Sequence, residues 1–271
     1  MSDQPACPAC GEPACSPSAA PAEPVKKRSC GCWTVFFALL GIGVLVALLL
    51  PSVETAREAA GRAQCMNNLK QLALALHIYE SEHGQFPPAY VADNDGKPMY
   101  GWRVLILPYL EQSDLYEEFK LDEPWDSPHN LAVAKESCPT VFRCPSVPTR
   151  GPNDDPSSTN YAMIVGPGCF SEGTTSADLK SIRHTDQMIM LVEVADSGIL
   201  WTEPRDLDAT TMSYQINDPD KPGISSAHPD GANAAFVDGH VHFLGNELRP
   251  ELVRKMTRVD AELTDEEKEN W

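Results

Sequence analysis

An α+β fold, with one long N-terminal helix packed on a globular domain of short helices and strands, follows from three features of this 271-residue sequence. An uncharged greasy stretch, residues 33–50, runs straight into an amphipathic one that ends at His83. Short β-type segments follow the helix, with the clearest β signal in the C-terminal third. Two of them, 232–237 and 240–244, flank Asp238-Gly239, a pair that strongly favours a tight hairpin turn.

The helix is the clearest element. Residues 33–50 hold no charge, and about eighteen residues of helix reach roughly 27 Å, enough for the hydrocarbon core of a bilayer. Beyond Pro51 the helical period persists, with Met66, Leu69, Leu72, Ala73, Leu76 and Tyr79 on one face and Glu58, Arg62, Lys70 and Glu80 on the other. Pro51 predicts a kink. Gly84 suits a left-handed cap, and Pro87-Pro88 cannot continue the helix. The expected organisation is a Cys-rich head (1–32), a transmembrane helix (33–50), its amphipathic continuation (51–84), an α+β domain (85–257) and an acidic, frayed tail (258–271).

Within the domain, Asp93-Asn-Asp-Gly96 reads as a turn, with a calcium loop as the weaker alternative because a distal glutamate is missing. Short helices are expected over 101–112 and 115–119. Ser127-Pro128 is a helix start, serine as N-cap and proline in the first turn. Strands are expected at 141–145, 160–165, 188–194 and 198–202, and a short helix over 249–256. Cys138 and Cys144 are candidates for a disulfide, with Cys65 and Cys169 competing and buried free thiols an equal alternative.

The head, rich in Pro, Ala and Ser, cannot bury a core. Cys7-Pro-Ala-Cys10-Gly has the shape of half a zinc knuckle, and Cys30 and Cys32 are the candidate second pair, with Cys15 nearby. A disordered thiol-bearing tail and a disulfide-linked head are the alternatives. Basic residues lie on both sides of the apolar segment, but the cluster Lys26-Lys27-Arg28 places the N-terminus in the cytosol. The formal charge is −18. Residues 1–32 carry three acids and three bases, so all of that charge lies beyond them. Acid of this density disfavours nucleic acid as a partner.

The segments Pro51-Ser-Val-Glu-Thr-Ala-Arg57, Cys65-Met-Asn-Asn-Leu-Lys-Gln71 and Gly84-Gln-Phe-Pro-Pro88 resemble the prepilin-like family called domain of unknown function 1559. The interval from His228 to Asp238-Gly239 resembles that family's closing His-x9-Asp-Gly motif. Glu123-Pro-Trp-Asp126, Phe142-Arg-Cys-Pro145 and Trp201-Thr-Glu-Pro204 resemble its internal signatures. The likeness covers about residues 35–250. It implies a pilin-like α+β architecture, with the first half of the long N-terminal helix in the membrane and the second half packed on a mostly antiparallel β-sheet. It also implies a single-pass protein of the inner (cytoplasmic) membrane with its C-terminal domain outside the cytoplasm, and a place in a type II secretion or type IV pilus-like assembly. It implies partners of the same class, other protein subunits meeting through the stem helix. It also implies a processing position at Ser29 and Cys30, where the family's glycine and phenylalanine are replaced, and Thr34 stands where the family carries a glutamate. That departure favours a permanent anchor over a filament subunit.

No Gly-rich phosphate loop, Gly-x-Ser-x-Gly elbow or His-Glu-x-x-His motif occurs, and the expectation is a structural or interaction protein, not an enzyme. The alternatives are a membrane-tethered scaffold or sensor with a zinc-binding head, and a metal-dependent hydrolase. For the last, the residues to test are His184, Glu193, Asp196, His228, Asp238, His240 and His242.

Overall fold

The structure is a computed structural model that describes residues 32–147 and 155–269; the side chains of 32, 34, 38 and 44–52 are not among those described. Cys7, Cys10, Ser29 and Cys30 therefore lie outside the described residues, and Cys32 is described through its backbone alone. The chain divides into two compact units, Met1–Ser52 and Val53–Trp271. Helix α1, Cys32–His83, contributes to both. Among the described residues no helix is long and apolar enough to cross a membrane. Much of the expected span, 44–50 together with Thr34 and Ala38, has side chains outside that description.

In the second unit α1 behaves as its pattern dictates. Cys65, Leu69, Leu72 and Leu76, spaced four, three and four apart, are wholly buried, while Met66 and Tyr79 are half-buried. Burying the three leucines contributes on the order of 5–9 kcal/mol of transfer free energy. Gly84 takes φ +77° and donates its N–H to Glu80 O at 2.7 Å, closing the helix as expected.

Beyond it, β1 (Tyr90–Ala92) and β2 (Pro98–Gly101) form a hairpin. Its turn is closed by Asp93 Oδ1, which accepts from the N–H groups of Asp95 (2.9 Å) and Lys97 (2.8 Å). Short helices follow: α2 (Trp102–Leu105), a 3-10 turn at Leu107–Leu110 and α3 (Ser113–Glu118). Helix α4 (Pro128–Glu136) starts on Ser127, whose Oγ accepts from Asn130 N. Then come β3 (Tyr161–Ala162), β4 (Ile164–Val165), β5 (Ile189–Glu193), β6 (Leu207–Asp208), β7 (Gly231–Phe236), β8 (Val241–Gly245), α5 (Pro250–Met256) and α6 (Asp265–Glu269). The main sheet has the order β3-β5-β7-β8, antiparallel throughout, and β4 pairs with β6 in parallel.

Every residue of β7 is buried, because the sheet is a middle layer. Ala235 and Val237 belong to the core built around Leu69, Leu72 and Leu76 of α1. Ala232, Ala234 and Phe236 belong to a second core with Leu252, Val253 and Met256 of α5.

Three local expectations are corrected. Residues 141–145 form no strand: a 3-10 turn occupies Thr140–Phe142, Arg143 N bonds back to Thr140 O, and Pro139 and Pro145 have no N–H for a ladder. At 198–202 only a single bridge, Ser158 to Leu200, forms before Glu203 N turns back to Leu200 O. The acidic tail is not simply frayed. Leu263 is buried. Thr264 and Glu267 form a reciprocal cap, Thr264 N to Glu267 Oε2 and Glu267 N to Thr264 Oγ1.

Candidate functional site

Three segments converge on His228. It lies in the loop ahead of β7, its backbone N–H bonded to Ser226 Oγ, and its ring is fully buried. From α1, two turns apart on one face, come Glu58 and Cys65. Cys144 arrives from the loop after the 3-10 turn, its N–H held by Asn160 Oδ1 at 3.0 Å. Glu193 is the last residue of β5.

The ring's Nδ1 lies 2.6 Å from Glu58 Oε1. Its Nε2 faces Cys144 Sγ at 3.5 Å and Glu193 Oε1 at 3.8 Å. Cys65 and Cys144 are joined in a disulfide with Cα atoms 5.4 Å apart. The Cys138–Cys144 pairing is thereby corrected: Cys138 and Cys169 are free. The bond crosses from the stem to the domain, a pairing that no local spacing signals. Burial pushes the Cys138 thiol up to about 12 and raises that of Cys169 as well, so neither is a ready nucleophile.

Glu193 is 2% exposed. Its Oε2 accepts from Asn233 N at 2.7 Å, standing in for a backbone ladder partner, and its Oε1 has no hydrogen-bond partner. Burial raises its carboxyl above the ordinary range, against the donors of Asn233 and the nearby His228. One ligand atom each from Cys65, Cys144, Glu193 and His228 lies within 4.8 Å of the others. Thiolate, imidazole and carboxylate in such a cluster are donors suited to a zinc-class ion.

Gly61 explains how the loop gets close. A Cβ there would collide with Ser146 Oγ and come within 3.8 Å of His228 Cε1. An open cleft of about 640 Å³, lined in part by Glu58, Gly61, Pro145 and Ser146, borders this side.

The other residues singled out by sequence are elsewhere. Asp238 and Gly239 (φ +89°) form the β7–β8 turn, where Asp238 Oδ1 accepts from His240 N and lies 2.6 Å from His240 Nδ1. They sit past the end of β7 and His228 before its start, so turn and histidine lie at opposite ends of the strand. His184 faces Glu262 at 3.8 Å, and Asp196 and His242 are exposed. Of the seven, His228 and Glu193 meet in the buried cluster, and Asp238 and His240 meet separately at the turn.

Sequence reasoning placed Glu58 on the wet side of the stem and gave it no partner. It also missed the buried pair Arg103–Asp206 at 2.6 Å. Burial lowers the Arg103 guanidinium and raises the Asp206 carboxyl, each opposed by the other's charge. Asp206 also accepts from Met163 N and Trp102 Nε1, tying α2 to the sheet.

No curated protein and no solved structure matches the chain. The family model described as "Protein of unknown function (DUF1559)" matches residues 54–206 and 190–251. Those overlapping matches cover well over half of the sequence and take in every residue of the His228 cluster, so the chain belongs to the DUF1559 family.

Proposed function

We propose that the chain is a membrane-anchored, pseudopilin-like structural protein that carries its α+β unit outside the cytoplasm and associates with other subunits through the stem helix, as in a type II secretion or type IV pilus-like assembly. The observation that carries the reading is the contrast along α1. Trp33, Val35, Phe36, Phe37, Leu39, Leu40 and Ile42 are all more than half exposed, over more than half of the helix circumference. So broad an apolar surface wants lipid or other helices. Further on, the helix buries a single face, and its outer face still presents Leu74 (61% exposed) and Ile78 (36%) one turn apart, a foothold for a neighbouring stem.

A structural role also suits His228. Its Nδ1 is taken by Glu58 and its Nε2 is enclosed by Cys144 and Glu193, which leaves neither nitrogen open to a substrate. The test is alkaline-carbonate extraction of native membranes, followed by intact mass and N-terminal sequencing of the retained chain. Retention is expected. A start near Met1 makes the stem a permanent anchor, and a start at Cys30 makes it a processed subunit. Release by carbonate refutes the reading.

A further inference from the structure

The disulfide accounts for only part of the His228 cluster. It leaves a carboxylate oxygen, Glu193 Oε1, buried and unpartnered, at a place where an acceptor without a donor is costly. It also leaves His228 Nε2 directed at that oxygen and at Cys144 Sγ. The positions of both side chains are fixed from behind. Glu58 holds the imidazole at Nδ1, the arrangement that orients histidine ligands in metal sites. The Asn233 N–H holds Glu193 by its other oxygen.

We propose that, with the disulfide reduced, Cys65, Cys144, His228 and Glu193 form a tetrahedral site for a zinc-class divalent ion, so that one core position alternates between a covalent bond and a metal bridge. The donors lie within 4.8 Å of one another with the disulfide closed. A tetrahedral site with bonds of about 2.0–2.3 Å needs separations of roughly 3.3–3.8 Å, so the two sulfurs move apart once their bond is broken and the other donors draw in slightly. Two thiolates and one carboxylate around a divalent ion leave a net charge of −1, equal to that of a Cys3His site.

The exchange balances. A dithiol reductant of the thioredoxin class gives two electrons and two protons, the Cys65–Cys144 bond breaks, two thiols form, and the reductant becomes a disulfide. The divalent ion then displaces both thiol protons to solvent and forms two metal–sulfur bonds. Pro145, which follows Cys144 in the chain, lines the cleft together with Gly61 and Ser146. Each form ties the same stem residue to the same loop, and neither depends on assembly with other subunits.

The test uses the full chain in mild detergent, with Cys7, Cys10, Cys15, Cys30 and Cys32 changed to serine so that the head cannot compete. Zinc is titrated into oxidised and phosphine-reduced protein, and cobalt is used as a spectroscopic stand-in. One zinc per reduced chain is expected, with none on the oxidised chain and a thiolate-to-cobalt absorption band in the reduced form. Glu193→Gln, which keeps the side chain's shape, should weaken zinc at least ten-fold, and Cys144→Ser should abolish the band. Comparing the two redox forms of one sequence guards against a variant that fails to fold. Reduced protein that takes up no zinc, or zinc affinity indifferent to both Glu193→Gln and Cys144→Ser, overturns the proposal.

Discussion

Opening the Cys65–Cys144 disulfide should cost far more stability than any single contact at the site. The bond closes a loop of 79 residues, and the chain-entropy model gives about 4.5 kcal/mol for a loop of that length, roughly three powers of ten in the unfolding equilibrium. The effect lies mostly in the unfolded state. In the folded state both cysteines are buried in a packed core, 0% and 4% exposed, and stay neighbours whether or not they are bonded. Reduction should therefore lower the denaturant midpoint and also raise the slope, since the freed chain expands further. The assay is urea unfolding of the full chain in detergent, followed by the fluorescence of the buried Trp102 and Trp201. The head cysteines are replaced by serine and a chelator is present, so that no metal substitutes for the bond. Cys138→Ala and Cys169→Ala serve as controls that should leave the redox difference unchanged. The reasoning is refuted if midpoint and slope stay put on reduction while thiol alkylation proves that Cys65 and Cys144 have opened.

Glu58→Ala removes the acceptor from a buried imidazole and should destabilise the fold by about 1–3 kcal/mol, with Glu58→Gln milder because its amide oxygen still accepts; thermal melts read both. Gly231→Ala puts a Cβ into Leu244 O and within 2.7 Å of the Phe243 ring, and should cost about 1–3 kcal/mol by the same measurement, since the obstacle is backbone. Glu267, bonded to Lys255 Nζ and to Thr264, has its carboxyl lowered to about 2. A depressed carboxyl gives stability that is complete above the ordinary glutamate range and lost as pH falls through about 2, so NMR titration should keep Glu267 ionised at pH values where exposed glutamates are already protonated. Replacing Leu74 and Ile78 together by glutamate should abolish stem-to-stem crosslinking in membranes without lowering the melting temperature, and unchanged crosslinking would remove that face from the proposed interface.

What the sequence disclosed was whatever is written in short-range pattern. The three-four spacing of Leu69, Leu72 and Leu76, the Gly84 stop, the Ser127-Pro128 start and the Asp238-Gly239 turn each depend on residues within a turn or two of one another. The strand expected at 141–145 failed because apolar residues beside prolines fit a 3-10 turn as well as a ladder, and periodicity alone cannot choose between them. The site was legible only in parts. His228 and Glu193 stood out as titratable groups, and Cys65 and Cys144 as two cysteines among four in the domain. What joins them is contact across 79 residues for the cysteines and 170 for Glu58 with His228. Information of that kind lies in the packing of α1 on the sheet and in no window of the chain. Arg103 and Asp206, 103 residues apart, escaped for the same reason.

The interval between His228 and Asp238-Gly239 acquires a physical meaning from that packing. At one end of β7, His228 is bonded to Glu58 of the stem. At the other, the turn comes down beside the stem again, where a side chain on Gly239 would lie 3.7 Å from His77 Nε2. The stretch of α1 from Glu58 to His77 is about 28 Å long, and the six-residue strand supplies about 20 Å of that span, with the loop before it and the turn after it making up the remainder. The motif's spacing is thus the length of stem that β7 has to cover. On this account a residue inserted in β7 would do more than flip its faces between the α1 and α5 cores. It would also force one end off the helix, freeing either the His228–Glu58 bond or the close approach of the turn to His77, whereas an insertion of the same size in the exposed turn at Asp95 should leave both ends in place. Histidine NMR shifts of His228 and His77 separate the two cases, and a β7 insertion that left both resonances unmoved would show that the spacing serves something other than the stem.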